Sequence, residues 1–496
     1  MEIGNIVVKE DSETINSKEL LRKYYNDFGY SKKGTGSSYE DNKYRLMLME
    51  MLRHADSLGL DRRNYHDEYI NRYDSLASLA GFDNSQYESE NELIFSDAAL
   101  SFLYDVAYGR EVEIAYNGVK YHIDSTRIIG IFDQLISDKN WRGALDSVEP
   151  KIPQYLLMKN EMNRMVTVLH NLTGIDTEVV NTTTKGEVAA IHKLKVYGCI
   201  PDSLNVDSLT HVETANSYKR FQRMMSLDTT GILDKKTTES LNFPLSVRVS
   251  QMKESLNYWR WTGRLLEREF ILVNIPAARL RIVNRDSVKN ISMKVILGKT
   301  TSPTPSFTAY ISRVITYPYW VVPISIATKE MLPKIKINVE YFENNNLQVV
   351  NNKGDIIDPR QVDWKKYSKN YLPYTFRQST GCDNSLGVLK FDLNSPFSIY
   401  LHDTNARGLF GKKERFMSHG CVRVERPMEL ANYLLDNSLD STKIFNLLQC
   451  LKDQIPTEIP LKKHFPVLLL YMTADIDENG HLRFYKDIYL REKSST

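Results

Sequence analysis

Apolar positions recur at helical spacing through the first third of the chain and at strand spacing through much of the second half. Leu20, Leu21, Tyr24 and Tyr25 form an i, i+4 stripe, as do Leu46, Met49, Leu52 and Leu58 with its neighbours. Gly59-Leu60-Asp61 reads as a glycine C-terminus for the second of these helices. Ser96-Asp97 reads as the cap of a helix over Ser96–Tyr108. Residues from about Ser17 to Arg164 are therefore expected to be mainly helical. His54 and His66 stand alone there, with surface or packing roles.

Asn171 to Gly186, rich in Thr, Asn and Gly, reads as a linker. A small helical module follows, to about Phe243. Ala189, Ile191 and Leu194 mark its first helix, Tyr218 to Gln222 its second, and Asp234 caps a third that ends near Leu241. Arg248 to Trp261 reads as an amphipathic helix with Val249, Met252, Leu256 and Trp259 on one side. From Glu269 the pattern changes to short β-rich runs: Phe270–Ile275, Leu280–Val283, Met293–Leu297, Val314–Tyr317, Gly387–Phe391 and Ser398–Leu401. Many short strands bounded by turns predict a β-sandwich or barrel. Between Pro323 and Arg377 the strand pattern breaks: Ile326 to Leu332 looks helical, and several aromatic residues follow. An insertion of that size reads as a lid or binding loop.

A chain of 496 residues holds more than one domain. Its net charge of +2, without a long basic block, gives no argument for nucleic acid. The four cysteines, Cys199, Cys382, Cys421 and Cys450, suggest neither a disulfide framework nor a metal site. With no CxxC pair and no HExxH, zinc ranks low and no cofactor is expected. Pro466 to Met472 is too short to span a membrane and reads as a buried strand. Met1 to Ser17 is polar and lacks a signal peptide's apolar stretch.

The chemistry gathers in Ser418-His419-Gly420-Cys421-Val422-Arg423, preceded by Tyr400-Leu401-His402-Asp403. A free thiol needs activation, and an imidazole can supply it near neutral pH. His402, at the end of an expected buried strand over Phe397–Leu401, is the favoured base; His419 is a second group beside the thiol. Gly420 lets the backbone approach a substrate and adopt unusual dihedrals. Backbone N–H groups at Gly420 and Cys421 are the expected oxyanion donors. Arg423, two residues beyond Cys421, shares its face and suits a carboxylate. A buried, unused thiol is the plain alternative.

This run, with Leu401-His402-Asp403-Thr404, resembles the active-site signature of the L,D-transpeptidases, the YkuD-type catalytic domain. Asn384 to Phe391, Tyr317 to Pro323 and Ile357 to Trp364 are similar to the large, multi-domain branch of that family. The segment Gly59 to His66 with the Ser96–Tyr108 helix resembles that branch's helical scaffold domain. Phe221-Gln222, Gly231 and Thr237 resemble a peptidoglycan-binding three-helix module.

The resemblance implies a multi-domain α+β chain. A helical scaffold would occupy 1–185 and a peptidoglycan-binding-like module 186–246. A YkuD-type β-sandwich would occupy 247–496, with a capping insertion at about 324–376. It implies Cys421 as nucleophile, His402 as base and the Asp403 backbone carbonyl as the group orienting that base. His419 would assist, and Arg423 would sit near the substrate or support the loop. Trp320, Tyr371 and Tyr374 are candidates for a substrate groove. The implied reaction joins tetrapeptide stems by 3→3 cross-links through a Cys421 thioester, without metal or cofactor. Implied partners are peptidoglycan stem peptides and glycan, with carbapenem-type β-lactams as covalent inhibitors. The implied location is periplasmic or cell envelope, with a leader or anchor expected upstream or removed. The alternatives are a non-catalytic wall binder, an L,D-carboxypeptidase, and an enzyme attaching a protein lysine to the stem.

Overall fold

The computed structural model describes residues 15–27, 42–79, 88–171, 178–285, 291–381, 383–436 and 454–491. Cys382 and Cys450 lie outside these residues. The N-terminal helices are α1 (Lys18–Asp27), α2 (Asn42–Arg53), α3 (Asp67–Ala77), α4 (Glu88–Tyr108), α5 (Ser125–Asp138), α6 (Trp141–Val148) and α7 (Pro153–Asn171). The expected mainly helical region is found. Gly59 takes the left-handed conformation (φ 71°) after a short 3₁₀ turn, not directly after α2. Helix α4 begins well before Ser96, so Asp97 does not cap it. The Asp97 carboxylate instead accepts the backbone N–H groups of Asn16 (2.8 Å) and Ser17 (2.7 Å), and contacts His66 Nε2 at 2.7 Å. It ties the start of the described chain to the bundle, and His66 has a packing role.

The small module comprises α8 (Thr184–Val196), α9 (His211–Met224) and α10 (Lys235–Leu241), each with a side-chain N-cap: Thr183, Thr210 and Asp234. Gln222, fully buried, pins it together. Its amide nitrogen donates to Thr230 Oγ1, Ile232 O and Thr237 Oγ1 at 2.8–3.0 Å, and its oxygen accepts from Gly231 N at 2.8 Å. Gly231 holds a left-handed φ of 78° to present that N–H. The residues that carry the resemblance here are thus the module's internal fastening.

Helix α11 (Leu245–Trp261) leads into the β region. It is not amphipathic as expected: Arg248, Gln251, Ser255 and Arg260 are buried along with its apolar residues. The reason is position, since α11 packs on α7 on one side and on the β region on the other. Arg260 donates to Tyr155 Oη (3.1 Å) and to Leu58 O, while Ser255 Oγ donates to Ala474 O. One apolar core therefore runs from Tyr155 and Met162 through Phe221 and Trp259 to Phe270 and Leu468.

The strands are β1 (Tyr116–Asn117), β2 (Glu269–Asn274), β3 (Arg279–Asn284), β4 (Ser292–Gly298), β5 (Phe307–Thr316), β6 (Trp320–Val321), β7 (Leu347–Val350), β8 (Ile356–Ile357), β9 (Thr375–Gln378), β10 (Leu389–Leu393), β11 (Leu401–His402), β12 (Phe416–Ser418), β13 (Val422–Val424), β14 (Thr457–Leu470), β15 (Ala474–Ile476) and β16 (Leu482–Phe484). The main sheet runs β5-β10-β11-β13-β4-β3-β2-β14, and β14 pairs again with β5. The expected sandwich thus takes the form of one continuous sheet closed on itself, which leaves no free edge along that circuit. Alternation along β2 serves two cores: Phe270 and Leu272 face the helices, Ile271 and Val273 the sheet interior. The expected strand over Ser398–Leu401 is only Leu401–His402. Pro396 has no N–H to donate, and Ser395 to Ser398 form bends.

The insertion folds as a small unit, the sheet β6-β9-β7-β8 packed with short helical turns around Phe342, Trp364 and Phe376. Its helical segment holds a π-turn at Ala327–Met331. Replacing Gln222 by Leu removes all four hydrogen bonds and leaves Gly231 N to find a new partner. A loss of about 2 kcal/mol or more is expected, read as a lower unfolding midpoint in urea.

Candidate active site

Two very short strands position the site. β11 and β13 pair in parallel, with Leu401 opposite Val422 and His402 opposite Arg423. They are flanked by β10, where Lys390 pairs with His402, and by β4, where Ile296 pairs with Arg423. Leu401, Val422 and Val424 are fully buried in the sheet interior, which fixes the register. Alternation puts Tyr400, His402, Cys421 and Arg423 on the other face. Val422 N donates to Tyr400 O (3.1 Å), bringing the two chain segments together just before the strands begin.

His402 is buried, and its Nδ1 lies 2.5 Å from the Asp403 backbone carbonyl. A carbonyl only accepts, so Nδ1 carries the proton and Nε2 is left as the basic nitrogen. Burial, followed by the Arg423 and Lys390 charges, pushes the imidazole down to about 3, against the Asp403 contact. The Asp403 carboxylate is occupied elsewhere. It accepts Val388 N at 3.0 Å and pairs with Arg407 at 3.0 Å. Gly387 (φ 59°) lies so close to this carboxylate that a Cβ would collide with it.

Cys421 is partly exposed, and burial pushes its thiol up. The Tyr400 contacts and the Lys390 and Arg423 charges oppose that shift. Its Sγ lies 3.6 Å from Ser398 O, so the resting thiol's hydrogen bond goes to that carbonyl and not to the imidazole. The thiol and imidazole therefore rest as a neutral pair.

Gly420 has a φ of 119°, while a Cβ there would meet only Ile399 Cδ1 at 3.9 Å. Conformation, not space, demands glycine here. Three bonds lock the turn: Ser418 Oγ to Cys421 O (2.7 Å), Gly420 N to Ser418 Oγ (3.1 Å) and Thr304 Oγ1 to Gly420 O (2.8 Å). The two expected oxyanion donors differ in the resting structure. The Gly420 N–H is already taken, whereas that of Cys421 has no partner among the described residues.

The Arg423 guanidinium is desolvated, and its buried Nε has no partner among the described residues. His419 Nε2 lies 2.7 Å from Glu330 Oε1, on the π-turn of the insertion. Of the expected groove aromatics, Tyr374 lines a cavity beneath the insertion and Trp320 touches Tyr400. Tyr371 is not brought there: it is 63% exposed and packs on Tyr367. Tyr400, Ser398, Lys390 and Glu330 carry no site role in the sequence pattern, because their signal lies in spatial neighbours rather than in spacing.

Residues 268–445 match the L,D-transpeptidase catalytic domain, YkuD, and residues 19–162 match the family model described as a scaffold domain. The chain carries a YkuD-type L,D-transpeptidase catalytic domain, a cysteine transpeptidase unit, behind an N-terminal scaffold domain. A putative L,D-transpeptidase of Haemophilus influenzae (strain Rd) is 38% identical over 219 residues, which span 44% of this chain and 44% of that protein. A solved structure titled "Structure of the Ldtfm-avibactam carbamoyl enzyme" aligns over 44% of this chain and 61% of its own. Its identity is 13% and its TM-score 0.20, too low to carry an argument.

A neutral resting pair has a clear pH signature. An imidazole near 3 stays unprotonated throughout the neutral range, so the acid limb of turnover, set by His402 as base, falls far below pH 6.5. Alkylation by iodoacetamide is expected to rise steadily up to and beyond pH 9, without a plateau near neutrality. Arg423→Met removes a cation that disfavours the imidazolium and favours the thiolate. It is expected to move the acid limb of turnover upward and to slow alkylation several-fold.

Proposed function

We propose that this chain is an L,D-transpeptidase that forms 3→3 cross-links in peptidoglycan, with a tetrapeptide stem as acyl donor. The observation that carries the reading is the His402 imidazole, whose Nδ1 is held by the Asp403 carbonyl, while Cys421 directly precedes the neighbouring parallel strand, level with Tyr400 and on the same sheet face as His402. The family match to a cysteine transpeptidase domain supports it.

In the proposed reaction the thiol leaves Ser398 O and gives its proton to His402 Nε2. The thiolate attacks the carbonyl carbon of the third, diamino-acid residue of the stem. The Cys421 N–H donates to the resulting oxyanion. The C–N bond to the terminal D-alanine breaks, His402 returns the proton to the leaving amine, and a thioester remains. The side-chain amine of a second stem then attacks, His402 takes its proton, and the sulfur leaves as the amide forms. The insertion covers the groove and excludes water from the thioester.

The proposed domain boundaries fall near 185 and 246, with the insertion at about 324–376. The module of α8, α9 and α10 is proposed to meet the glycan. Wall substrate implies an envelope location; no helix among the described residues is long and apolar enough to cross a membrane. Carbapenem-type β-lactams are proposed to acylate Cys421, because a strained amide offers the thiolate the same electrophilic carbonyl.

Incubation with disaccharide-tetrapeptide, read by mass spectrometry, tests the reading. A dimer that has lost one D-alanine, absent with Cys421→Ala and reduced at least about 100-fold with His402→Ala, is the expected result. Tripeptide alone would identify a carboxypeptidase. No thiol-dependent product, even from polymeric sacculi, would reject catalysis in favour of wall binding.

A further inference from the structure

A cavity of about 490 Å³ lies between the insertion and the main sheet, beside the thiol but not containing it. Its walls are largely apolar, with Val321 and Ile324 contributed by the insertion and both more than half exposed. Its lining holds one ammonium and one carboxylate: Lys390 and Asp392, two residues apart on β10. Lys390 Nζ lies 3.1 Å from Asp392 Oδ1. Asp392 Oδ2 is held from the other side by Arg313 at 2.7 and 3.0 Å, so the carboxylate stays anchored if Lys390 turns to another partner. Lys390 Nζ also sits 4.4 Å from the centroid of the Tyr400 ring, and the hydroxyl end of that ring touches Cys421. The ion pair is thus one tyrosine ring away from the sulfur.

A single ammonium–carboxylate pair in an apolar groove complements a ligand that carries both charges on one carbon. The ligand's carboxylate meets Lys390 and its ammonium meets Asp392, so neither charge is left unpaired on desolvation. Here the inference rests on the function proposed above. The donor's diamino-acid residue presents its carbonyl to Cys421, and its side chain ends in an amino-acid head. That side chain spans about 5 Å when extended over four carbon–carbon bonds. This is the scale of the tyrosine ring that separates the sulfur from Lys390.

We infer that Lys390 and Asp392 form the subsite for the zwitterionic side-chain head of the donor's diamino acid. They select stems whose head carries a free carboxylate over stems in which it is amidated or missing.

Calorimetric binding to full-length Cys421→Ala protein tests this without turnover. The probes are stem tripeptides ending in diaminopimelate with the side-chain carboxylate free, the same peptide amidated there, and the lysine counterpart. The free acid is expected to bind about 10-fold more tightly than either of the others. Adding Lys390→Met should abolish that preference while leaving the amidated peptide's affinity within about 2-fold, and Lys390→Arg should retain it. Equal affinity for the three peptides, no binding of any, or a preference that survives Lys390→Met would overturn the subsite. If Lys390→Met fails to fold, the wild-type-position preference and Lys390→Arg still decide. Intact-mass detection of tetrapeptide acylation on the unmutated chain is scored separately. Preference without acylation would reject the proposed reaction and keep the subsite, whereas acylation without preference would reject the subsite alone.

Discussion

The parallel pairing of Leu401–His402 with Val422–Val424 is the constraint on which the site depends. Strands this short have little stability alone. They persist because β10 and β4 flank them and because Leu401, Val422 and Val424 are buried in the sheet interior. A slip of one residue would turn His402 inward and expose leucine or valine in its place. The burial that secures the sheet therefore also aims the imidazole. The same burial lowers its basicity, and the Asp403 carbonyl offsets only part of that effect while fixing the tautomer.

Closure of the sheet extends this rigidity. Strand β14 joins β2 to β5, so movement of the site strands would have to deform the circuit. Outside the circuit, α11 ties the helical part to the sheet through buried polar groups. Its Arg260 reaches Leu58 O and Tyr155, and Ser255 reaches Ala474 O. A buried guanidinium tolerates few alternative packings, since any shift strips the charge of the acceptors it has. The Arg281–Asp475 pair, also buried, adds the same kind of constraint between β3 and β15.

The insertion stands in a different relation to the site. It has its own small core around Phe342, Trp364 and Phe376, and it meets the site through side chains. Glu330 meets His419, and Trp320 touches Tyr400. The Glu330–His419 contact is largely exposed, and such pairs contribute about 0–1 kcal/mol. A contact of that strength orients the insertion relative to His419 without locking it. Rigid strands carry His402 and Cys421, while the insertion is joined to them through exposed side-chain contacts.

The sequence alone determined the helical first part, most strand positions, and the cluster of Cys421, His402 and Arg423. These are legible because periodicity and short motifs are local properties. It placed His402 at a strand end, although Pro396 and the bends after it make that strand far shorter than its apolar run suggested. Ser96-Asp97 looked like a helix cap, but Asp97 serves the backbone of Asn16 and Ser17 across the bundle. The whole of α11 looked one-sided, but it is enclosed by two neighbours. Tertiary structure alone decided that the Gly420 N–H donates to Ser418, that Tyr371 packs on Tyr367, and that Lys390 stands one ring from the thiol. Each of these depends on which distant segments meet. Pairing and burial settle that, and spacing along the chain does not.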